Sequence, residues 1–556
     1  MRNFQIIITG LLLSLFACSK SPDNTPTPSP TESDFTGTSL QVNGINNGSF
    51  SFNNISGNSI IKISFSNAVK QSSAAASVLL NESNGAAIPY NLSFENRDSS
   101  LILRPSSALK GFTGYTIIVS STLQSITNKS LKNSLTISLR TGIDSSDKFP
   151  TITDNALLDL VQKQTFKYFW EFGHPTSGLA RERNTSGDLV TSGGSGFGIM
   201  SIVTGIHRNF ITRAEGVARM QKIVGFLKNT AQKFHGAFPH WLNGNTGVVI
   251  PFSAKDNGAD LVETSYLVQG LLTARQYFTN ADAMETSLRN DINSICNGVE
   301  WNWFRKNNEN QLYWHWSPNF HWDINLRIRG WNESLITYVL AASSNNYVIP
   351  KIVYDNGWAA NGSMRNGNIY FGVQLPLGPA LGGPLFFSHY SFLGINPNGL
   401  TDQYANYQTQ VVNHTRINYE YCKANPQNHY GYSGLNWGLT ASDIPNGYTA
   451  SSPTNDIGVI APTAALSSMP YTPTESMNAL NFFYYKLGDK IWKEYGFVDA
   501  FKLSDPWFAS SFLAIDQGPI IVMIENHRSG LLWNLFTSCP EVKIGMRTLG
   551  FSAPYL

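Results

Sequence analysis

Residues 260–272 read "DLVETSYLVQGLL", and this stretch decides how the larger part of the chain is interpreted. At about 100° per residue, Leu261 and Leu272 fall on one stripe of a helical wheel, which is typical of a packed helix face. Glu263 falls on the opposite side, beside Tyr266 and a glycine, whereas a solvated face usually carries Lys, Glu and Gln. We therefore expect a helix that makes contacts on both faces, with Glu263 directed into a cavity.

The composition favours a sugar as the partner and argues against a nucleic acid. The chain has 556 residues, which suits a small module plus a large one. Its formal net charge is +2 and only 14% of its residues are charged, whereas a nucleic-acid binder needs clustered basic surface. Aromatic residues make up 12%, and their faces stack on sugar rings while polar side chains bond the hydroxyls. We expect a polysaccharide or oligosaccharide substrate, a monomer, and no cofactor.

The N-terminal segment "MRNFQIIITGLLLSLFAC" predicts export. Its apolar run is too short for a permanent membrane span and ends at a small residue before Cys18. It resembles a lipoprotein signal, so that residues 1–17 would be removed and Cys18 would be lipidated. An ordinary secretory signal with an incidental cysteine is the alternative. Residues 18–34 are rich in Ser, Thr and Pro and predict a disordered tether.

This N-terminal segment predicts a protein of the cell envelope, on the outer membrane or facing the periplasm. We expect the lipid to be its only contact with a membrane. Apart from Cys18, the chain has three cysteines, Cys296, Cys422 and Cys539. Their odd number argues against a disulfide framework. We expect them to be mostly buried free thiols.

The next region, residues 35–143, has the pattern of an all-β sandwich. Short alternating runs such as "SIIKISFSNAV" and "YTIIVSSTL" are separated by Asn, Gly and Ser. The region resembles the bacterial Ig-like modules of surface polysaccharide enzymes. We interpret it as a spacer.

Residues 150–556 change to a helical period, with no alternation of strands and helices that would indicate a parallel sheet. The candidate helices are 153–171, 196–209, 212–234, 259–279, 282–302, 333–344, 401–423 and 474–494, with shorter ones near 385–394, 461–468 and 518–526. This number of helices with long loops predicts an all-α toroid, in which paired helices form two concentric rings around one cavity. An irregular helical bundle is the alternative.

Two tempting motifs do not fit their usual chemistry. The glycines of "GGSGFG" (193–198) follow no strand, so they predict no dinucleotide site, and Phe197 breaks the G-x-S-x-G pattern. His315 and His321 lack the spacing of helical metal ligands, so we predict no metal site. Their aromatic neighbours are more typical of a sugar-stacking loop.

Hydrolysis of a glycosidic bond needs two carboxyl groups, one of them protonated near neutral pH. Glu475 in "TPTES" has the spacing of a helix capping box with Pro at the first helical position, which favours a structural role. Glu333 opens a helix, where the helix dipole alone would favour it. Asp456 precedes another helix and could cap it. Asp188 lies in a loop ahead of glycines, and only Glu263 has no ready structural explanation.

Residues 153–550 resemble the glucoamylase-like family of bacterial lipoproteins, which includes glycoside hydrolase family 144, the β-1,2-glucanases. The segments that carry the resemblance are "TFKYFWEFGHPTSGLARER", "GGSGFGIMSIVTGIHR", "DLVETSYLVQGLL", "RGWNESLITYVLAASS", "FFSHYSFLGINP", "YCKANPQNHYGYSGLNWGLTASD", "DIGVIAPTAALSSMPYTP" and "IDQGPIIVMIENHRSGLLW". The resemblance implies an (α/α)6 barrel and an inverting, metal-free hydrolase of β-1,2-linked glucan. The expected products are sophorose or short oligosaccharides.

The resemblance also implies roles for the acidic residues. It makes Glu263 the leading general acid and Asp456 the preferred second catalytic carboxylate, with Asp188 and Glu333 as other acidic candidates. The expected substrate-binding residues are Tyr266, Trp316, His321, Arg329, His389 and Trp437. If the enzyme inverts, the two carboxyls should lie about 6.5–9.5 Å apart, or further if a water or hydroxyl relays the proton.

One departure from the family lies at "SSNNYVIP" (343–350), where relatives commonly read Ser-Pro-Thr-His. A loop beside the cavity would alter the subsites. Three other functions remain open: hydrolysis of another glucan, noncatalytic glycan binding, and phosphorolysis. Endo and exo action are both compatible with the sequence.

Overall fold

The computed structural model describes residues 33–556, which divide into two compact units, one ending at Gly142 and the other running from Ile143 to Leu556. The predicted signal, the lipidation site Cys18 and all but the end of the predicted tether lie outside the described residues. Within residues 33–556, no helix combines the length and the apolar character that a membrane span requires.

The first unit is a sandwich of two four-stranded sheets. One sheet has the order Gly37–Val42, Ile61–Phe65, Ser100–Pro105, Tyr90–Glu95, and the other has the order Ser51–Ile55, Leu135–Thr141, Gly114–Val119, Val78–Glu82. A short helix, Gln71–Ser77, comes directly before the strand Val78–Glu82. Alternate residues such as Ile61, Ile63, Leu101, Leu103 and Ile117 point inward and are fully buried, as period-two strands require.

In the second unit, outer and inner helical elements alternate along the chain. The inner elements are Ser192–His207, Leu261–Tyr277, Leu335–Ala342, the 3-10 turns Leu385–Ser388 and Ser391–Leu393, Pro462–Leu466 and Ala514–Ser529. Each inner element is followed or preceded by an outer helix, namely Asp154–Trp170, Arg213–Asn229, Ala283–Asn297, Lys351–Asn356, Tyr407–Ala424 and Pro473–Asn481. The last inner helix packs against the first, which closes the ring into an α/α barrel.

The remaining elements of this unit are short. The helical ones are Trp301–Arg305, Ala360–Gly362, Ala380–Gly382, Phe482–Lys486, Gly488–Ile491, Leu531–Thr537 and Pro540–Leu549. The antiparallel ladders in the loops are Leu189–Thr191 with Trp241–Asn243 and Val249–Ile250, Ala259–Asp260 with His315–Trp316, Leu312–Tyr313 with Arg327–Ile328, Ile369–Tyr370 with Val373–Gln374, Ala441–Ile444 with Gly447–Ala450, Trp492–Lys493 with Gly496–Phe497, and Phe501–Lys502 with Trp507–Phe508.

Burial explains which helices form the inner ring. The Leu261–Tyr277 helix is buried on every face over its first fourteen residues, so its sequence lacks a solvated stripe. Gly196 and Gly270 let two inner helices approach closely, since a Cβ at Gly270 would lie 2.2 Å from the Gly196 carbonyl oxygen. The glycine beside Glu263 on the helical wheel therefore serves helix packing. The outer Arg213–Asn229 helix is half-exposed and begins with a capping box.

Some local predictions are wrong. The expected helix at 385–394 is two 3-10 turns, and the predicted capping box at Glu475 is absent because Thr472 makes its side-chain contact with Ser476 instead. Four α-helices, Gln71–Ser77, Lys351–Asn356, Leu531–Thr537 and Pro540–Leu549, were not predicted. Cys296, Cys422 and Cys539 are free thiols, as expected, and the last two are buried.

Candidate active site

A cavity of about 470 Å³ lies where several inner helices begin. Its wall contains Thr191, Glu263, Glu333 and Leu513, each at or just before the first turn of an inner helix. Helix N-termini carry partial positive charge and favour carboxylates nearby. The other lining residues are Glu182, Arg183, His240, Trp241, Phe252, Val262, Tyr266, Trp314, Phe386, Tyr390, Ala441, Tyr448, Ala450 and Ile515.

Glu263 is held in place by contacts at the start of its own helix and at the start of the neighbouring inner helix, Ser192–His207. Asp260 caps the helix, accepting the backbone N–H groups of Val262 at 3.0 Å and Glu263 at 2.9 Å. The Glu263 Oε2 atom accepts the Gly193 N–H at 2.7 Å and the Thr191 hydroxyl at 3.2 Å. Glu263 lines the cavity, as the helical wheel predicted.

Gly193 is needed for this contact, because a Cβ at that position would lie 2.5 Å from Glu263 Oε2. Burial raises the pKa of Glu263 and the negative charge of Asp260 adds to this effect. The positive charge of His240 and the two hydrogen bonds from Gly193 and Thr191 oppose it. The net effect is a pKa above the usual value for a glutamate.

His240, on the cavity wall, belongs to a network of two histidines and two aspartates. Its Nδ1 lies 3.0 Å from Asp260 Oδ2, while His315 Nε2 lies 3.3 Å from Asp256 and 3.5 Å from Asp260. Although burial alone would lower the pKa of His240, the charges of Glu263 and Asp260 raise it to about 9. His240 is therefore a cation beside Glu263 at neutral pH.

The donor types of His240, Asp256 and Asp260 are those of metal ligands, and one donor atom from each lies within 4.8 Å of the others. Within this trio His240 is ion-paired with Asp260, and Asp256 is ion-paired with His315. Burial raises the pKa of Asp256 to about 6, whereas the hydrogen bonds from His240 and His315 lower that of Asp260 despite its burial. We interpret the network as an ion-pair cluster that holds His240.

Glu333 is the second carboxyl group of the cavity with a shifted pKa. It lies just before the Leu335–Ala342 helix, and its main-chain oxygen accepts hydroxyl groups from Tyr266 and Ser391. Burial raises the pKa of its carboxyl group to about 7, with smaller contributions from the charges of Asp260 and Glu263. A carboxyl group with this pKa retains its proton close to neutral pH.

Glu182 is the third carboxyl group of the cavity wall, and it is ion-paired. Arg183 Nε lies 3.0 Å from one of its oxygens and the Ser186 hydroxyl donates to it at 2.9 Å. The same guanidinium reaches Asp443 at 3.1 Å through Nη1. These contacts raise the pKa of Arg183 further above its usual range, although burial opposes them. The result is a charged, ordered edge of the cavity.

A buried acidic pair, Asp499 and Asp516, lies behind this edge. Asp499 accepts the backbone N–H of Asp443 at 2.6 Å, and burial raises its pKa to about 7. Burial and the charge of Asp499 raise the pKa of Asp516 well above its usual range. The charge of one buried carboxyl group opposes ionisation of the other, which favours one proton held between the two.

The structure brings only some of the predicted residues to the cavity. Glu263, Glu333 and Tyr266 line it. Asp456 does not: its carboxylate accepts the hydroxyls of Tyr432 at 2.9 Å and Tyr421 at 3.1 Å, because its loop folds back onto the Tyr407–Ala424 helix. Asp188 also lies outside the cavity wall, half-exposed, with its Oδ1 3.2 Å from His174 Nε2.

Most of the predicted substrate contacts are also elsewhere. His389 is buried against Ser468, with its pKa lowered by burial to about 3, and Trp437 is buried with its indole N–H on the Glu475 carbonyl. Trp316 packs on Trp303, whereas His321 and Arg329 are exposed. None of these five belongs to the cavity wall, and their role in substrate binding stays a prediction.

The expectation that the segment "SSNNYVIP" lies beside the cavity is wrong. The loop 343–350 follows the C-terminal end of the Leu335–Ala342 helix, whereas the cavity lies at the N-terminal end. The sequence analysis also missed Glu182, His240, Trp241 and Trp314. Glu182 lies in a segment that carried the resemblance, but no periodic pattern marks loop residues that face a cavity.

The cavity thus combines carboxyl groups of raised pKa with aromatic faces at the mouth of an α/α barrel, which is the pattern of a carbohydrate-active barrel protein. A model of the family described as "Putative glucoamylase" matches residues 325–540, and the bacterial Ig-like domain model matches 38–141.

Similar proteins of known structure define the family of this chain. A "putative glucoamylase" structure from Bacteroides uniformis is 53% identical, covers 73% of this chain and 100% of its own, and has a TM-score of 0.72. The endo-β-1,2-glucanase structure from Chitinophaga pinensis, in complex with sophorotriose and glucose, is 50% identical with the same coverage and TM-score. The chain belongs to this glucoamylase-like family, to which the β-1,2-glucanases belong, and carries an Ig-like domain before the barrel.

A curated relative is the exo β-1,2-glucooligosaccharide sophorohydrolase (non-reducing end) of Parabacteroides distasonis. It is 47% identical over 421 residues, which is 72% of this chain. The match spans 58% of that relative's length. The resemblance and the fold class expected from the sequence are confirmed.

Proposed function

We propose that the protein is a glycoside hydrolase that cleaves β-1,2-linked glucans by inversion. The observation that carries the proposal is one cavity wall that holds Glu263 and Glu333, both of raised pKa, among aromatic side chains. The similarity to β-1,2-glucan hydrolases supports the choice of linkage. Aromatic faces such as Trp241, Trp314 and Tyr390 offer stacking surfaces for glucosyl rings.

The two carboxyl groups differ in a way that assigns their roles. A general acid must be protonated before it acts, and the Glu333 carboxyl group has a pKa of about 7. Glu263 keeps one oxygen on Gly193 and Thr191 and lies beside the His240 cation, which favours its charged form. We assign Glu333 as the acid that protonates the leaving oxygen and Glu263 as the base that activates water. This reverses the role that the resemblance implied for Glu263.

Inversion gives the assignment a stereochemical consequence. The acid donates its proton to the glycosidic oxygen on one side of the sugar, and the base removes a proton from a water on the other. Cleavage of a β-linkage should therefore release the α-anomer first. Proton NMR of the earliest product would show it, and an initial β-anomer would indicate a covalent intermediate instead.

The first test is the activity itself. The protein from residue 19 onward is incubated with β-1,2-, β-1,3-, β-1,4-, β-1,6- and α-1,4-glucans, and the products are separated over time. Cleavage confined to β-1,2-glucan is expected. An early disaccharide alone would indicate exo action, and a ladder would indicate endo action. Activity only with added phosphate would indicate phosphorolysis, and binding without cleavage would indicate a glycan-binding protein; either result would overturn the proposal.

We also propose that the protein is exported and anchored to the cell envelope through a lipid on Cys18. The support is the sequence: an apolar run, a small residue before the cysteine, and a Ser/Thr/Pro-rich segment after it. Metabolic labelling of the expressing cells with an alkyne fatty acid should label the wild type and not a Cys18→Ala variant. Equal labelling of both would contradict the anchor.

A further inference from the structure

A second groove, of about 540 Å³, adjoins the catalytic cavity. Arg183 and Tyr448 line both spaces, so the two share a wall. Each space has the volume of an ordinary small-ligand site. The groove also contains Asn184, Asp443, Trp507 and Ser510. The mechanism assigns no role to these residues.

The shared wall is an ordered, polar edge. Tyr448 lies on the Ala441–Ile444/Gly447–Ala450 hairpin, and its side chain is 48% exposed. Arg183 is fixed between Glu182 and Asp443 by charged hydrogen bonds of 3.0–3.3 Å. Asp443 also accepts the Ser511 hydroxyl at 2.5 Å. A ligand that leaves the cavity over Tyr448 would meet groups already held in place, which reduces the entropy cost of binding.

The lining of the groove includes an aromatic side chain. Trp507 lies in the short ladder that pairs Phe501–Lys502 with Trp507–Phe508, and its side chain is half-buried. An indole face beside hydroxyl, amide and carboxylate groups is the combination that binds a neutral sugar. A lipid chain would gain less from these polar groups.

We propose that this groove is a distal subsite for glucosyl units of the same glucan chain, with Trp507 as the stacking surface. The inference rests on the proposed function and extends it, because it gives the enzyme a preference for chains longer than the cavity holds. A chain would run from Glu333 and Glu263 over the Tyr448 edge and onto Trp507.

The test compares kcat/KM on β-1,2-gluco-oligosaccharides of increasing defined length. Wild-type kcat/KM should rise with length until the groove is filled. Trp507→Ala should lower kcat/KM on long chains by about tenfold through KM, since one lost aromatic contact is worth roughly that factor, while the shortest cleaved oligosaccharide is unaffected. Unchanged activity on the short substrate also shows that the variant is folded.

A second variant and a control make the result unambiguous. Ser510→Trp should reproduce the loss on long chains by filling the groove, because Ser510 is exposed there. Phe371→Ala removes a 45% exposed ring that lies outside both spaces and should change nothing. Equal losses at every length, or no rise with length in the wild type, would overturn the subsite.

The proposed function can fail separately. If the wild type cleaves no β-1,2-glucan, titration calorimetry of wild type and Trp507→Ala with long β-1,2-glucan still tests the groove. Tighter binding by the wild type would keep the glucan subsite in a noncatalytic protein. Equal binding, or none, would overturn it.

Discussion

Glu333 and Asp456 are two carboxylates that the sequence places alike, each just before a helix, and the structure separates them. Asp456 accepts hydroxyls from Tyr421 and Tyr432 and the backbone N–H of Gly458 at 2.9 Å. Glu333 lies on the cavity wall, and burial raises the pKa of its carboxyl group to about 7. Donors around a carboxylate hold it in one position, whereas a carboxyl group that faces a cavity is free to contact a ligand.

Glu263 lies between these extremes. It accepts two donors on one oxygen, as a structural carboxylate would, yet it lines the cavity and its pKa is raised. The comparison teaches that proximity to a helix start does not distinguish a catalytic carboxyl from a cap. What distinguishes the two is the number of donors around the carboxyl group and the presence of a cavity beside it.

The largest effect that tests this comparison should come from Glu333→Gln. The amide preserves the shape of the side chain and cannot donate a proton to the leaving oxygen, so kcat on β-1,2-glucan should fall by roughly 10²–10⁴-fold. Asp456→Asn is the matched control and should keep kcat within a few-fold, although its hydrogen bonds to two tyrosines make some loss of stability expected. The reverse order of effects would return the catalytic role to Asp456.

The pH profile sharpens the same assignment. The wild-type rate should fall above about pH 7, because Glu333 then loses the proton it must donate. It should also fall as the pH is lowered, because Glu263, whose pKa is raised, must be unprotonated to act as the base. The residual activity of Glu333→Gln should lack the alkaline limb. An unchanged limb in that variant would assign the limb to another group.

A smaller effect is expected from Gly193→Ala. The new Cβ would lie 2.5 Å from Glu263 Oε2, so the carboxylate must move and kcat/KM should fall by about 10²-fold. Gly225→Ala is the control, since nothing lies within 4 Å of a Cβ there and the residue is in the interior of an outer helix. That variant should keep full activity and gain about 0.5–1 kcal/mol of stability. Normal activity of Gly193→Ala, with folding confirmed by circular dichroism, would contradict the positioning of Glu263.

Much of the fold was accessible from the sequence because its signals are periodic. The strands of the first unit and the long helices of the second follow the period of buried side chains, and Glu263 was identified because it breaks that period. The 3-10 turns at Leu385–Ser388 and Ser391–Leu393 carry apolar residues without enough length to show a helical period. The short Lys351–Asn356 helix was missed for the same reason.

The cavity was harder to predict, because most of its wall lies outside the helices. His240 and Trp241 reach it through the ladder that pairs Leu189–Thr191 with Trp241–Asn243, and Glu182 is held by Arg183. Such positions depend on long-range contacts that no local pattern encodes. His389 and Trp437 illustrate the opposite case, since residue types suited to sugar binding are here buried in the core.

The acidic pair behind the cavity should affect stability and not chemistry. Burial raises the pKa of Asp499 to about 7 and that of Asp516 well above its usual range, so between about pH 4 and 7 the folded chain binds more protons than the unfolded one. Stability should therefore fall as pH rises through that window, by an amount on the order of a few kcal/mol. Asp516→Asn removes one ionisable group of the pair and should flatten this loss.

The midpoints of thermal unfolding of the full chain at pH 5 and pH 8 measure this effect. The difference between the two pH values should be smaller in Asp516→Asn than in the wild type. Glu82→Gln offers a control, because Glu82 makes a surface ion pair with Lys110 in the first unit and should leave the difference unchanged. An equal pH dependence in Asp516→Asn and the wild type would show that the pair does not share a proton.

The smallest effect is expected from a chelator. Asp260 resembles Asp456 in being saturated with donors, since it accepts two backbone N–H groups, His240 at 3.0 Å and His315 at 3.5 Å. These contacts explain the cluster of His240, Asp256 and Asp260 as ion pairs, so EDTA followed by desalting should leave kcat on β-1,2-glucan unchanged. Loss of activity that returns with one divalent cation would instead make these residues metal ligands. Asp260 would then belong with the carboxyl groups that serve a ligand, and the donor count alone would no longer separate the two kinds.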